Sequence, residues 1–167
     1  MNLCLCGMMG AGKTTVGVEI AKNTSLRLCD TDGLIVEKYG KIADIFARYG
    51  EGRFREIETE TVKTLAKEDG LVISTGGGLV LRTENVALLG QNGKIVYLRA
   101  SLETLVERLH ADGTRPLLQT EEGLCDRLAR LLKERAPIYE QVADFVVDVD
   151  GKTPEEIAKE IIKIAGI

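Results

Sequence analysis

A glycine-rich segment near the N-terminus has the residue types and spacing of a phosphate-binding loop. Gly7-Met8-Met9-Gly10-Ala11-Gly12-Lys13-Thr14 follows an apolar run and leads into an amphipathic stretch. Glycines let the backbone wrap a polyphosphate with its amide N–H groups, and the N-terminus of the following helix adds a positive dipole. Lys13 would reach the β- and γ-phosphates, and the Thr14 hydroxyl would ligate magnesium. The alternative is a glycine turn that only caps a helix, but the complete spacing favours phosphate binding.

Two carboxylates follow the second apolar run of the chain. Asp30 and Asp32 are separated by one residue, so that one can hold magnesium through water while the other accepts the proton of an incoming hydroxyl group. The alternative is that one of them caps the next helix, and the two roles are compatible. The third apolar run, Val72-Ile73-Ser74-Thr75, lacks the aspartate that often supports magnesium in such proteins. Asp30 is its natural substitute.

An arginine and a run of glycines are candidates for binding the second substrate. Arg55 and Glu58 lie three residues apart and share a helix face. They form either a surface ion pair of little energetic value, or a pair in which the carboxylate orients the arginine to hold an anionic ligand through two parallel hydrogen bonds. The local sequence leaves this open. Gly76-Gly77-Gly78 favours close approach of a ligand to the backbone over a plain turn.

Three further arginines could bind anionic groups. Arg115 lies in a polar segment at about 112–121 that has no hydrophobic period and is predicted to be a mobile lid. There it would cover phosphoryl charge and exclude water, whereas the alternative is a solvated surface charge. Arg108 could stack on a purine ring or neutralise a helix C-terminus. Arg135 precedes Tyr139 by four residues and is a second candidate anion-binding group.

Short apolar runs alternate with helical patterns along the chain, and these elements must position the residues above. Strands are predicted at 3–6, 26–30, 71–74, 94–98 and 144–149. Helices are predicted at 15–23, 32–39, 42–49, 51–67, 83–89, 101–111, 122–133, 135–142 and 153–165. The alternation predicts an α/β fold with a parallel sheet covered on both faces and with ligands above the carboxyl ends of the strands.

Composition narrows the class of protein. The chain has 167 residues, of which 44% are hydrophobic and 29% charged, which suits a single domain. A net charge of −4 and few aromatic residues argue against a nucleic-acid binder. No apolar run approaches the roughly 20 residues of a membrane span, so we expect a cytoplasmic protein without a membrane partner. The four cysteines, Cys4, Cys6, Cys29 and Cys125, are interpreted as small buried apolar residues in a reducing compartment.

Taken together, these segments resemble the shikimate kinase family over nearly the whole chain. The phosphate loop alone indicates only a nucleotide binder, and the ordered set is far more specific. The segments that carry the resemblance are Gly7 to Thr15, Asp30-Thr31-Asp32, Gly50 to Glu58, Thr75-Gly76-Gly77-Gly78, Arg115-Pro116-Leu117-Leu118 and Arg135-Ala136-Pro137-Ile138-Tyr139.

The resemblance implies a P-loop fold like that of nucleoside monophosphate kinases. Such a fold has a five-stranded parallel sheet flanked by helices and a mobile lid. It would form one kinase domain, residues 1–167, with the phosphate loop at 7–14, a substrate-binding region at about 31–60 and the lid at about 112–121. The implied reaction is magnesium-dependent transfer of the ATP γ-phosphate to the 3-hydroxyl of shikimate. We expect a monomer, because no long exposed apolar stripe requires a partner.

The resemblance also implies a role for individual residues. Catalysis is assigned to Lys13, Asp32 and Arg115. ATP binding is assigned to Gly10, Ala11, Gly12, Lys13, Thr14, Thr15, Arg108, Arg115 and Pro154. Magnesium is assigned to Thr14 and, through water, to Asp30. Shikimate binding is assigned to Asp32, Arg55, Gly76, Gly77, Gly78 and Arg135, with the two arginines on its carboxylate.

Two kinds of rival function stay open at this point. The first is a small kinase for another acceptor, gluconate or a nucleoside monophosphate. The second is a nonenzymatic ATP-binding regulator that has kept the fold. Neither rival accounts as well for Asp32, Arg55 and Arg135 occurring together with the phosphate loop.

Overall fold

A five-stranded parallel sheet forms the centre of the computed structural model, which describes residues 1–112 and 123–167. The spatial order is β2-β3-β1-β4-β5, and every pairing between neighbours is parallel. The strands are β1 Asn2–Cys6, β2 Arg27–Asp30, β3 Leu71–Ser74, β4 Gly93–Arg99 and β5 Phe145–Asp148. The predicted five-stranded parallel sheet is therefore confirmed.

Seven helices of the described residues connect and cover the strands. They are α1 Lys13–Asn23, α2 Thr31–Tyr39, α3 Ile42–Leu65, α4 Thr83–Gln91, α5 Leu102–Asp112, α6 Leu124–Val142 and α7 Pro154–Ala165. A short 3₁₀ turn, Leu79–Leu81, precedes α4. Thr153 and Glu156 form a reciprocal capping box at the start of α7, which is a strong local helix-start signal.

Two helix boundaries bear on the site. The helical run α3 covers the two helices predicted at 42–49 and 51–67, and it is interrupted at Gly50, whose φ of 80° and ψ of 172° are not helical. The prediction of separate helices at 122–133 and 135–142 is wrong, because α6 runs through without a break. Pro137 lies inside α6 and removes one backbone hydrogen bond. Burial of Leu128 and Tyr139 along one side of α6 holds the helix together across this point.

The main core lies on both faces of the sheet. The central strand β1 is buried along its whole length, as expected for a parallel strand covered on both sides. Cys4 and Cys6 lie in this strand, and burial raises the pKa of each thiol to about 12. The interpretation of all four cysteines as buried was wrong for Cys125, which is exposed, and for the half-buried Cys29. Cys29 belongs to β2, an edge strand with a neighbour on one side only.

A second, smaller apolar cluster packs α2 against α3. Its buried members are Ile35, Ile45, Phe54 and Ile57. This cluster is separate from the core under the sheet, so residues 31–60 form a small packed layer at the carboxyl ends of the strands. Within the parts of the chain that the structure describes, no helix is long and apolar enough to cross a membrane.

Candidate active site

The phosphate loop joins the end of β1 to the start of α1. Gly10 and Gly12 have φ values of 83° and 92°, a region of backbone space that favours glycine. Gly12 gives α1 no side-chain cap, so the first amide groups of the helix are left for a ligand. Lys13 Nζ donates hydrogen bonds to the carbonyls of Gly7, at 2.8 Å, and Met8, at 2.9 Å. The loop and its lysine thus form one compact unit.

Three oxygen-bearing side chains meet where β1, β2 and β3 end. The Thr14 hydroxyl donates to Asp30 Oδ2 at 2.7 Å and lies 2.9 Å from the hydroxyl oxygen of Ser74. Asp30 Oδ1 also accepts from the Gly33 amide and caps α2. The capping role of Asp30 is confirmed, and it leaves the second oxygen directed at Thr14.

These oxygens suit a small, hard cation. Mg²⁺ prefers hydroxyl and carboxylate oxygens, keeps several waters, and is bound through one or two carboxylates plus substrate phosphates. Thr14 and Asp30 supply that donor set beside the phosphate loop. No group of three or more His, Cys, Asp or Glu side chains that could enclose a metal occurs among the described residues, and a magnesium site of this open kind does not require one.

A pair of carboxylates faces the first glycine after β3. A β-carbon added at Gly76 would lie 2.9 Å from Asp32 Oδ1 and 3.1 Å from Glu58 Oε2. Only glycine leaves room for both acids at this point. Glu58 is 1% exposed, and burial raises the pKa of its carboxyl above the usual range, against the opposing effect of Arg55. Its Oε2 atom has no hydrogen-bond partner among the described residues.

The Arg55 guanidinium lies between two glutamates, Glu51 and Glu58, and the backbone of Gly78. Its Nη1 donates to Glu58 Oε1 at 2.6 Å, and its Nη2 lies 3.4 Å from Glu51 Oε1. The side chain of Glu58 is 1% exposed, so this is no surface ion pair. A β-carbon at Gly78 would lie 2.5 Å from Arg55 Nη1. The guanidinium therefore lies directly over the glycine backbone.

Arg135 reaches the same run of glycines, the glycine segment Gly76-Gly77-Gly78, from α6. A β-carbon at Gly77 would lie 3.2 Å from Arg135 Nη1. The Tyr139 hydroxyl, one helical turn further along α6, donates to the Gly77 carbonyl at 2.6 Å. Arg55 and Arg135 thus approach Gly78 and Gly77 from two different helices. Two cations and two carboxylates surround this segment, in which Gly76 and Gly77 are half-buried and Gly78 is buried.

A cleft of about 960 Å³ is lined by both the phosphate loop and the two aspartates Asp30 and Asp32. Arg108 Nη1 donates to the Ala11 carbonyl at 2.9 Å, which places its guanidinium on the loop. Ala11 itself is buried. The cleft is lined by Met9, Gly10, Gly12, Lys13, Thr14, Thr15, Asp30, Asp32, Gly33, Val36, Ser74, Thr75, Gly76, Gly77, Arg108, Leu109 and Pro154. Residues 113–121 of the predicted lid, with Arg115, lie outside the described residues.

Comparison with known proteins assigns this arrangement to a family. The family model of shikimate kinase matches residues 9–165. The chain belongs to the shikimate kinase family. A shikimate kinase from Thermodesulfovibrio yellowstonii is 46% identical over 163 residues, which cover 97% of this chain and 93% of that protein. A shikimate kinase from Caldicellulosiruptor bescii is 44% identical over 98% of this chain and 94% of that protein.

Solved structures of shikimate kinases share the fold. The shikimate kinase from Acinetobacter baumannii in complex with shikimate superposes with a TM-score of 0.91 at 37% identity, covering 98% of this chain and 92% of that chain. The predicted nucleoside-monophosphate-kinase-like fold and the predicted family are confirmed.

Three residues that contact the candidate site residues were given no role in the sequence analysis. Ser74 ends β3 beside Thr14, and Arg82 donates to the Arg55 carbonyl at 3.3 Å and to Thr59 Oγ1 at 3.1 Å. Tyr139 binds the Gly77 carbonyl. A serine at the end of a strand is a signal that sequence reasoning could have used, whereas a lone arginine or a core tyrosine carries none.

Proposed function

We propose that this protein transfers the γ-phosphate of ATP to the 3-hydroxyl of shikimate. The products are shikimate 3-phosphate and ADP, in the biosynthesis of chorismate and the aromatic amino acids. The observation that carries the proposal is the pairing of a phosphate loop with the acid- and arginine-flanked glycine segment at the same sheet edge. A relative of the same fold is described as a complex with shikimate.

The phosphate loop side of the cleft holds the donor. Backbone amides of Gly10, Ala11 and Gly12, with Lys13, Thr14 and Thr15, bind the phosphates, and Arg108 and Pro154 flank the adenine. Support comes from the open N-terminus of α1 and from the position of these residues, apart from the buried Ala11, along one cleft. Thr14 holds Mg²⁺ directly and Asp30 holds it through water. Bound magnesium neutralises charge on the β- and γ-phosphate oxygens.

The glycine segment side holds the acceptor. Shikimate carries one carboxylate, and Arg55 and Arg135 hold it with charge-assisted hydrogen bonds. Asp32 holds the 3-hydroxyl and accepts its proton during transfer. The backbone of Gly76, Gly77 and Gly78 forms the floor of this pocket. Support comes from the positions of the two guanidinium groups next to Gly78 and Gly77 and from the position of Asp32 beside Gly76.

Transfer itself needs little covalent help from the protein. A phosphoryl group passes between two oxygens with charge spread over its equatorial oxygens, so positioning and cationic groups supply most of the rate. Lys13 supplies one such cation. Arg115 supplies another from the lid at about 112–121, which would also exclude water from the site. We further propose a single kinase domain that acts as a monomer in the cytoplasm.

An acceptor panel tests the proposed function. The purified protein is incubated with Mg²⁺-ATP and with shikimate, gluconate or CMP, and ADP release is measured by a coupled assay. ADP release that depends on shikimate, with a phosphorylated product confirmed by mass spectrometry, is the expected result. Turnover with gluconate or CMP but not with shikimate would overturn the proposal. ATP binding without turnover on any acceptor would indicate a regulator in place of an enzyme.

A further inference from the structure

The hydroxyl group of Tyr139 connects two parts of the acceptor pocket. It donates a hydrogen bond to the Gly77 carbonyl at 2.6 Å. Burial raises the pKa of this phenol to about 12, while the charge of Arg135 and a hydrogen bond with that guanidinium act in the opposite direction. The hydroxyl oxygen and Arg135 Nη1 also lie 3.8 and 3.2 Å from the same β-carbon position at Gly77, so Tyr139 and Arg135 approach the same point of the glycine backbone.

This contact fixes the orientation of a peptide group. The carbonyl of Gly77 and the amide N–H of Gly78 belong to one planar trans peptide and point in opposite directions. With its carbonyl held toward α6, the peptide presents the Gly78 N–H away from that helix. The amide N–H groups of Gly77 and Gly78 donate to no other residue in the described part of the chain. Gly77 is half-buried and lines the cleft, whereas Gly78 is buried beneath the Arg55 guanidinium, so the backbone that Tyr139 orients is open to a ligand at Gly77.

A backbone made of glycines needs a neighbouring group such as the Tyr139 hydroxyl to fix its conformation. Three successive residues without side chains have more conformational freedom than any other tripeptide, so a binding backbone built from them must be held by its neighbours. Tyr139 is 0% exposed, and its ring packs against that of Tyr97 with centroids 5.1 Å apart. The hydroxyl therefore extends from a rigid part of the core.

We propose that Tyr139 is a positioning residue for the acceptor, which sets both the Gly77–Gly78 peptide and the Arg135 guanidinium for shikimate binding. This proposal rests on the proposed function, because it assigns the pocket to shikimate. Tyr139 does not touch the reacting atoms. Its effect should appear in the affinity for the acceptor and leave the affinity for the nucleotide unchanged.

The test compares two buried tyrosines that differ in one contact. Tyr139→Phe keeps the ring and its packing and removes the hydroxyl. Tyr97→Phe is the matched control, since Tyr97 is 1% exposed and belongs to the same ring pair but makes no hydrogen bond to the glycine segment within the described residues. For each variant, kcat and the KM values for shikimate and ATP are measured, and calorimetry gives the dissociation constant of shikimate. Thermal unfolding verifies that both variants are folded.

Tyr139→Phe should raise the KM and the dissociation constant of shikimate by about tenfold, the usual result of losing one buried hydrogen bond. Its KM for ATP should stay within about twofold of the wild-type value, and Tyr97→Phe should leave both KM values within that range. An unchanged shikimate KM in Tyr139→Phe, or a rise that ATP or Tyr97→Phe shares, would overturn the positioning role. Failure of the wild-type protein to phosphorylate shikimate would instead overturn the proposed function.

Discussion

At the scale of single residues, neighbouring arginines on one helix differ in what they can do. Arg53 donates to Glu56 and Glu60, both of which are at least half exposed. Arg55 pairs with Glu58, which is 1% exposed, and lies over Gly78. Exposed pairs contribute little, whereas a charge held in fixed geometry beside a binding site can contribute several kcal/mol to recognition. Position, more than residue type, separates the two arginines.

Arg55→Ala should therefore weaken shikimate binding selectively. Loss of one partner of a buried, hydrogen-bonded charge pair costs about 2 kcal/mol or more, so the shikimate KM should rise at least roughly 30-fold. The KM for ATP should change by less than about twofold. Steady-state kinetics with each substrate varied in turn measures both values.

Arg53→Ala provides the matched control, since it removes the same charge from the same helix two residues away. It should leave both KM values near those of the wild-type protein, because its partners are exposed. Equal effects of the two substitutions on shikimate, or an equal effect of Arg55→Ala on ATP, would contradict the binding role of Arg55.

Glu58 gives the stability a dependence on pH with a definite sign. Burial raises the pKa of its carboxyl above the ordinary value of 4.5, which Arg55 only partly offsets. The folded chain therefore holds this proton more tightly than the unfolded chain. The stability that this group contributes is present below the unfolded pKa and is lost as pH rises through the folded pKa. Glu58 thus favours folding least at neutral pH and above.

Glu58→Gln should remove this dependence. The difference in free energy of unfolding, variant minus wild type, should become more positive between about pH 4 and pH 8, since glutamine does not ionise. Urea denaturation across this range measures the difference. Glu56→Gln, which removes a carboxylate that is 60% exposed on the same helix, controls for the change in net charge. A difference that falls with rising pH would show that the attraction of Arg55 outweighs burial.

At the scale of elements, α3 depends on a glycine that interrupts it. Gly50 has φ 80° and ψ 172°, and no atom lies within 4 Å of a β-carbon placed there. Backbone strain alone therefore decides what a substitution does. Gly50→Ala should lower the free energy of unfolding by about 1–3 kcal/mol, because this region of backbone space is open essentially to glycine only. Chemical denaturation measures the change.

A second glycine, two residues away, should give the opposite result. Gly52 is helical, and a β-carbon there also meets no atom within 4 Å. Gly52→Ala should raise the free energy of unfolding by about 0.5–1 kcal/mol, since alanine loses less conformational freedom on entering a helix. Two variants that change stability in the same direction would contradict the assignment of Gly50 as the interruption.

The elements were largely predictable from sequence because each carries local signals. β1, β3 and β4 are short apolar runs, and α7 begins with Thr153 and Pro154. The break predicted within α6 was wrong. Pro137 indicates a local weakness of the helix, which suggested the break. The burial that stabilises α6 on one side depends on long-range packing, which the sequence of the segment does not reveal. The edge position of β2, which leaves Cys29 half-buried, is likewise a property of strand order.

The site was predictable in part. The loop and Asp30 have fixed spacing, so the sequence locates them directly. The contact of Arg55 with Gly78 joins positions 23 residues apart, and that of Tyr139 with Gly77 joins positions 62 residues apart. Such contacts follow from how helices pack on the sheet, which no local pattern encodes. The sequence alone therefore left Arg55 open between a surface ion pair and a ligand, and it gave Tyr139 no role.

At the scale of the whole molecule, the proposed function assigns the two substrates to different elements of one sheet edge. The proposed donor side is the loop after β1 with the start of α1, and the proposed acceptor side is α3, α6 and the glycines after β3. The helices α1, α3 and α6 all contribute buried residues to the core under the sheet. Only the second, smaller apolar cluster between α2 and α3 is separate from that core. A ligand on either side should therefore stabilise the same cooperative unit.

Each substrate should raise the temperature of unfolding, and one substitution should abolish each effect separately. A ligand at 100 times its dissociation constant adds about 2.7 kcal/mol, or roughly 5–10 °C for a chain of this size. Lys13→Met should lose the shift caused by Mg²⁺-ATP and keep that caused by shikimate, while Arg55→Ala should do the reverse. Differential scanning calorimetry measures both shifts in one transition. Loss of both shifts in either variant would show that the two sides of the cleft cannot bind independently, because a site built from separate elements should lose only the ligand whose contacts are removed.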